Sequence, residues 1–452
     1  MNRVIAVCKT LRNHWKKSTF AACLIAYGGW YLDDKNRTNL MMRAFCEHAK
    51  AYGDEPLPAG AKPRHITVII NPTAKDGKGK ILYEKYAAPL FHLAGIRVSY
   101  FTTEYAGQAK SLMEVLENTD AVVIAGGDGT LHEAVTGIMS RSDYATACKR
   151  YPMGVIPAGK TNAVAKQLFW EPGMNEARWI ASSAMAIVKE QLSTLDVTQV
   201  ELRQDETAKG EEGPDDVGHP NVPAEVNNPQ VVYALGRLEQ GAFRDARSTI
   251  PKYWYFGALR TRAAFFFNAL KELPEATAAS LSYVEPCTGC SRCFINEVGT
   301  RRAERRRWWS AFMPRSAPQA SEPRTDYSKI TNPDCGIQRH SVLGHCQLDV
   351  SANFKKDLHA LKLSVSPPSS GRLQFFSECM QRQAGSHKSL ALRELLAREL
   401  NLEFQSGTKK ENGTGSQGTT RTVSVDSVEY QAQKVYLKLI PRVLHVYSAV
   451  NS

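Results

Sequence analysis

The run Ala121–Ala125, followed at once by Gly126-Gly127-Asp128-Gly129-Thr130, restricts this chain more than any other segment. Its first half is short, apolar and β-branched, the pattern of a strand buried in a sheet. Leu131-His132-Glu133-Ala134-Val135 then begins a helical pattern. A strand, a glycine loop and a helix in that order aim backbone N–H groups and a helix N-terminus at phosphate. Glycine has no Cβ, so the backbone can approach an anion closely. Asp128 would repel a bare phosphate. It suits a site where a divalent cation bridges the two, or where a carboxylate takes a proton from an attacking hydroxyl. Thr130 and Glu133 have the spacing of a capping box that would fix the helix start. A plain tight turn is the competing reading of the loop.

Around that loop, residues 60–192 alternate strand and helix. Ile66–Ile70 predicts a strand, and the loop Asn71-Pro72-Thr73-Ala74-Lys75-Asp76-Gly77-Lys78-Gly79-Lys80 follows it. A helix through Leu93, a strand over Ile96–Phe101, a helix over Gly107–Leu116, the strand into Gly126 and a short strand over Met153–Pro157 complete the pattern. This is a parallel α/β domain with right-handed crossovers, whose ligands bind at the carboxyl ends of the strands. The lysine-rich first loop, with Asn71, Pro72, Thr73 and Lys75, is therefore expected to contact nucleotide. Gly154–Thr161 matches the Walker A spacing literally. Its best strand residues, Val155 and Ile156, fall inside the would-be loop, and Pro157 removes one cradle N–H, so the match reads as accidental. Gly159 and Asn162 remain candidates to line the nucleotide site.

The chain's 452 residues leave room for two or three domains. A formal net charge of +12 favours acidic partners such as nucleotide phosphate or anionic lipid. No basic run interleaves with aromatics on a recognisable nucleic-acid module, so nucleic acid is not an expected partner. Ten cysteines in a chain of this length do not make a disulfide framework. Residues 1–59 form a basic N-terminal segment: Arg3, Lys9, Arg12, Lys16 and Lys17 precede any acidic residue, and the apolar stretch Thr19–Leu32 follows. As a helix that stretch would be about 21 Å long, short of the roughly 30 Å hydrocarbon core. Interfacial association or a tilted insertion is expected, with an ordinary buried helix as the alternative. The basic, acid-free start also suits a mitochondrial address.

Residues 193–452 shift to separated strands with insertions near 203–230, 297–332 and 405–420, which predicts a mostly β second domain. Tyr253–Leu273 predicts an aromatic amphipathic helix. Arg301–Arg324 carries arginines into Trp308, Trp309 and Phe312, a tract suited to an anionic membrane surface or to a solvated loop. Cys287, Cys290 and Cys293 could supply thiolates to zinc, with Cys335, His340 or Cys346 as a further ligand. A disulfide among them, or free thiols, fits the spacing equally.

Taken together, these residues resemble the diacylglycerol kinase catalytic family, which includes sphingosine, ceramide and acylglycerol kinases. The carriers are Asn71-Pro72, then Gly126-Gly127-Asp128-Gly129-Thr130-Leu131 with Glu133 and Gly137, then Pro157, Gly159 and Asn162. The acylglycerol kinase branch is the most similar, through Tyr86–Leu93, Gly107–Lys110, Glu117–Asp120 and Lys252–Gly257. The resemblance implies an α/β plus β fold: an N-terminal parallel-sheet nucleotide domain followed by a β-sandwich lipid-binding domain, with the active site between them. It implies ATP with Mg2+, and transfer of the γ-phosphoryl to the free hydroxyl of monoacylglycerol or diacylglycerol, giving lysophosphatidic and phosphatidic acid. It implies the mitochondrial inner membrane, facing the intermembrane space, and a second role as a membrane-tethered subunit of the carrier translocase there. Sphingosine or ceramide kinase activity is the alternative within the family. A pyridine-nucleotide kinase shares the Gly-Gly-Asp-Gly loop, but a soluble one has no reason for the apolar stretch.

By motif position, Thr103, Gly126, Gly127, Gly129 and Thr130 would hold nucleotide, Asp128 would serve catalysis and bind Mg2+, Arg260 would reach phosphate, and Asp245 would face the lipid headgroup. The chain departs from the family at Lys160, Thr161 and Ala163, and again where the family has Asp-Gly-Glu. There it reads Asp426-Ser427-Val428-Glu429. Valine neither takes a proton nor coordinates Mg2+, so either Glu429 replaces the family glutamate or Asp128 acts with less help.

Overall fold

The fold is taken from a computed structural model that describes residues 15–56, 60, 62–203, 229–271, 277–293, 329–353, 359–369, 371–384, 393–404 and 421–449. The three expected insertions apart from their margins, the tract Arg301–Arg324, and Arg3, Lys9 and Arg12 lie outside the described residues. The chain divides into two compact units. One runs to Leu195 and takes in Arg442 onward, and the other is Asp196–Pro441.

The first unit contains, in chain order, α1 (Trp15–Gly53), β1 (His65–Ile70), α2 (Gly79–Tyr86), α3 (Ala88–Leu93), β2 (Arg97–Thr102), α4 (Gln108–Val115), β3 (Ala121–Gly126), α5 (Asp128–Met139), α6 (Tyr144–Arg150), β4 (Met153–Pro157), α7 (Ala163–Phe169) and α8 (Glu176–Val188). Its strands pair in parallel in the order β2-β1-β3-β4. Every residue of β3 is buried, as its unbroken apolar run requires of a central strand covered on both faces. Ile70 lies opposite Thr102 and Ala125, and Gly126 opposite Pro157, so the carboxyl ends of the strands are level. From β1 the chain steps outward to β2 and then back across to β3. The gap between β1 and β3 is thus a topological switch point, where open α/β sheets bind ligands.

Two local expectations change. α5 begins at Asp128 with Gly127 as its cap residue and no side-chain cap bond, so Thr130 and Glu133 form no capping box. The helix starts three residues earlier than that motif needs, which leaves the Thr130 hydroxyl to accept from Asn71. The apolar stretch Thr19–Leu32 lies inside the 39-residue α1 and is not a buried helix. Phe20, Ile25, Trp30 and Leu32 are 67%, 76%, 63% and 65% exposed, whereas Met42, Phe45, Cys46, Ala49 and Tyr52 further along pack on the core of the unit. Among the described residues, no helix is long and apolar enough to cross a membrane.

The second unit starts within β5 (Leu192–Arg203) and continues through β6 (Gln230–Ala234), β7 (Arg237–Gly241), α9 (Ala242–Ser248), a 3-10 segment (Ile250–Leu259), α10 (Arg260–Leu270), β8 (Thr277–Val284), β9 (Gln338–His345), β10 (Gln347–Asn353), β11 (Ala360–Ser366), α11 (Arg372–Gln383), β12 (Arg393–Ala397), β13 (Glu399–Phe404), β14 (Arg421–Val425), β15 (Val428–Ala432) and β16 (Lys434–Tyr447). One sheet orders β16-β13-β8-β9, with β5 beside β16 and β6 beside β5. The other orders β12-β11-β10-β7-β14-β15. Leu281, Leu400 and Leu437 of the first sheet share one core with Leu238, Leu348 and Leu363 of the second, which makes the pair a β-sandwich. The aromatic segment expected as one helix is the 3-10 stretch followed by α10, interrupted at Gly257 with φ 53°.

β16 changes units along its length. Val435, Leu437 and Leu439 are buried, then Leu444 and Val446, so the inward face shifts by one residue at Pro441-Arg442, where Arg442 has φ 48°. Beyond that bulge Val446 pairs in parallel with Met153 of β4, and Tyr447 accepts a hydrogen bond from Arg64. The end of the last strand, from Arg442, therefore belongs to the first unit, while its beginning stays in the β domain.

α4 meets α5 across Gly137. A Cβ there would stand 2.3 Å from the Lys110 carbonyl oxygen and 2.8 Å from Met113 Cβ, and backbone cannot yield as a side-chain end can. Gly137→Ala is expected to destabilise the first unit by about 1–3 kcal/mol, the usual cost of overpacking, read from its denaturant midpoint.

Candidate active site

Two glycine loops meet at the carboxyl edge of the parallel sheet. A Cβ on Gly159 would lie 2.2 Å from Gly127 Cα, and one on Gly127 would lie 2.9 Å from the Thr161 carbonyl oxygen. Neither position accepts a side chain without parting the loops. Around this contact the Asp128 N–H donates to the Thr161 carbonyl at 3.0 Å and the Ala158 N–H to the Gly126 carbonyl at 3.1 Å. The Asp128 carboxylate, 5% exposed, accepts from the Ala163 N–H at 2.9 Å and the Val164 N–H at 3.3 Å. It satisfies two of the donors that the start of α7 would otherwise leave unpaired. Asn162 makes a reciprocal pair with Gly159, accepting its N–H at 3.1 Å and donating to its carbonyl at 2.9 Å. The segment resembling Walker A is β4 itself plus this turn, so its reading as accidental agrees with the structure.

The first loop crosses the switch point. The Asn71 N–H donates to the Ala125 carbonyl at 3.1 Å, its side-chain amide donates to Thr130 Oγ1 at 2.9 Å, and its Oδ1 accepts from the Thr73 N–H and hydroxyl at 3.0 and 2.8 Å. Asn71, Thr73, Ala125 and Thr130 are thereby one network. Pro72 bridges Asn71 and Thr73 in the chain, and Thr103, buried after β2, donates its N–H to the Ile70 carbonyl at 2.9 Å. Gly129 lies in the first turn of α5. Lys75 is less available than its position suggests: it adopts φ 53°, and its ammonium rests on Glu176. Lys160 pairs with Asp76 at 2.6 Å, both side chains 61% exposed. Solvated pairs of this kind are worth about 0–1 kcal/mol.

In the second unit, Asp426 and Ser427 have φ 47° and 73°, the conformation of a tight primed hairpin turn between β14 and β15. The Asp426 carboxylate accepts from the N–H groups of Leu235, Gly236 and Arg237 at 2.9, 2.9 and 2.8 Å. Glu429 sits opposite Ser424, which in turn sits opposite Glu239, so all three share one sheet face, while Val428 and Tyr430 alternate to the other. Glu429 therefore does not take the place that Val428 fills. Its carboxylate accepts from the Arg244 guanidinium at 2.6 Å, and the same guanidinium donates to Asp245 at 2.8 Å. Arg244 is 7% exposed at its side chain, whereas Asp245 is 65% exposed. Arg260 is the exposed first residue of α10. The sequence reading missed Arg244 and the clamp at Asp426. A basic residue beside Asp245 was its only signal for the first, and an Asp-Ser pair between two short apolar alternations its only signal for the second.

The chain matches the family model described as "Diacylglycerol kinase catalytic domain" over residues 65–200 and that described as "Acylglycerol kinase C-terminal" over residues 235–329. It is 35% identical to the mitochondrial acylglycerol kinase of Homo sapiens over 97% of this chain and 95% of that protein. The chain belongs to the acylglycerol kinase family. The Xenopus laevis member is 34% identical over 98% of this chain and 95% of its own, and the ceramide kinase of Mus musculus is 35% identical over 31% of this chain and 28% of its own. As a member of this family the protein is a lipid kinase, with ATP as phosphoryl donor. Its catalytic-domain match begins at β1 and contains both glycine loops.

Gly159→Ala is expected to part the two glycine loops and weaken ATP binding by at least about tenfold, the scale of roughly 1.4 kcal/mol, with the far-ultraviolet circular dichroism unchanged. Calorimetric titration with a non-hydrolysable ATP analogue reads the loss.

Proposed function

We propose that the protein transfers the γ-phosphoryl of MgATP to the free hydroxyl of monoacylglycerol or diacylglycerol, giving lysophosphatidic or phosphatidic acid. The observation that carries this reading is the close contact of Gly127 with Gly159 beside the Asn71–Thr130 bond, at a switch point where backbone can approach phosphate. The hydroxyl oxygen attacks the γ-phosphorus, ADP leaves, and the hydroxyl proton passes to solvent or to a carboxylate. In a loose transition state most of the catalysis lies in positioning and charge neutralisation. Magnesium sites for nucleotides need one or two carboxylates besides the phosphates, and Asp128 is the carboxylate assigned to the metal. The metal would neutralise charge on the transferring group.

Asp128 is then given two tasks, fixing the start of α7 against the glycine loop and facing the metal. Thr73, Lys75, Thr103, Gly129 and Asn162 are assigned to the nucleotide, and Arg260 to its phosphates. Asp245 is assigned to the glycerol headgroup. Glu429 is assigned a positioning role, because its carboxylate steadies the arginine that orients Asp245. Anionic membrane is the proposed surface, met by the exposed aromatics of α1 and by Trp254, Tyr255 and Leu259 beside Lys252, Arg260 and Arg262. The names of the relatives support a mitochondrial address, and the inner membrane facing the intermembrane space is the compartment we assign.

Purified protein with radiolabelled ATP and a panel of acylglycerols, sphingosine and ceramide should label acylglycerols first. Phosphorylated sphingosine or ceramide as sole product would move the substrate within the family. Asp128→Asn should cut turnover at least about 100-fold and also lower stability by about 1–3 kcal/mol, since an amide nitrogen turned toward a buried N–H leaves that donor unmet. Near-normal turnover would sink the assignment.

A translocase-subunit role is the second reading, favoured by the long α1 that carries its exposed apolar residues outside the core. Gly126→Glu would put a side chain on Thr130 Oγ1, 2.8 Å from an ideal Cβ. It should abolish phosphorylation while leaving vesicle flotation and co-purification with inner-membrane translocase subunits intact. Loss of all three together would tie that role to the nucleotide site.

A further inference from the structure

Cys287, Cys290 and Cys293 follow β8, and Cys335 precedes β9, its antiparallel neighbour. The ladder between the two strands ends at Val284 opposite Gln338, so both cysteine-bearing segments leave from the same end. Their four sulfur atoms lie within 4.8 Å of one another. A zinc–sulfur bond of about 2.3 Å in a tetrahedron sets sulfur atoms about 3.8 Å apart, and Cys290 Sγ stands 3.6 Å from Cys293 Sγ. A disulfide would need about 2.05 Å.

The surroundings suit thiolates. The Asn332 amide donates to Cys287 Sγ at 3.3 Å, the kind of outer hydrogen bond that orients a metal ligand. Arg292 brings a positive charge beside the cluster and reaches the Pro333 and Cys335 carbonyls at 3.4 and 3.5 Å. The Ser291 N–H donates to the Ile330 carbonyl at 2.9 Å, joining the two segments by backbone as well. The other fourth ligands open to the sequence are placed elsewhere. His340 is exposed in β9 opposite Ser282, and Cys346 is buried where α9 begins, its carbonyl accepting the Ala242 N–H.

We infer that Cys287, Cys290, Cys293 and Cys335 form a structural zinc site that staples residues 285–293 to residues 329–337. Four soft thiolates select zinc over magnesium or calcium, and a complete set leaves no open position for substrate, so the site is structural and not catalytic. It is independent of the kinase chemistry.

The test uses the full-length protein, purified without chelator. Elemental analysis should find about one zinc per chain, and titration with a mercurial in the presence of a zinc indicator should release that zinc as about four thiols react. Cobalt exchange should give the intense visible bands and sulfur-to-cobalt charge transfer of a tetrahedral thiolate site. The double variant Cys287→Ser, Cys335→Ser should lose the metal. Because that variant can also lose its fold, the thiol titration of the unaltered protein decides. Zinc-free protein with disulfides among these four cysteines would overturn the inference. So would full zinc content in the double variant, or iron in place of zinc.

Discussion

The nucleotide unit depends on one close backbone contact. Gly127 and Gly159 belong to loops after different strands, yet no side chain fits between them. That closeness lets the Asp128 N–H reach the Thr161 carbonyl and puts the Asp128 carboxylate within reach of the first N–H groups of α7. One carboxylate thus sets the start of one helix from the first residue of another. The backbone of the two glycine loops is fastened from the sheet outward, through Asn71 to Thr130 and through Asp128 to α7. Preorganised donors of that kind need not reorganise as charge develops, which is where much of catalytic stabilisation arises.

The parallel half of the fold was legible because its signals are local. An unbroken apolar run, Val122–Ala125, can only be central in a covered sheet, and glycines at its end mark the ligand edge. Pro157 and the strand residues Val155 and Ile156 were enough to dismiss the Walker A match. Side-chain bonds between distant segments were harder to read. Thr130 looked like a cap because its spacing to Glu133 is right, and only the third dimension shows Asn71 competing for its hydroxyl. Asp128 read as a bare carboxylate near phosphate, since nothing in the sequence places the N–H groups of Ala163 and Val164 beside it. For the cysteines, the spacing of three was visible, while the choice among Cys335, His340 and Cys346 depended on which strand ends are neighbours.

The second unit places its carboxylates by the same means. Asp426 is occupied by three backbone N–H groups, which ties the β14–β15 turn to the start of β7. Arg244, buried between Glu429 and Asp245, holds one exposed carboxylate in place through another. Strand alternation turns Val428 to the opposite sheet face from Glu429. On the Glu429 face, the Arg244 bridge ties the carboxylates of Glu429 and Asp245 together.

β16 makes the catalytic unit discontinuous in the chain. Its sheet ends on residues made after every other strand of the β-sandwich, so β4 has no edge partner there, and Arg64 no Tyr447, until residues 442–447 are made. A nascent chain therefore carries a bare edge on β4 through the synthesis of all the intervening strands, a backbone ladder open to the wrong partner.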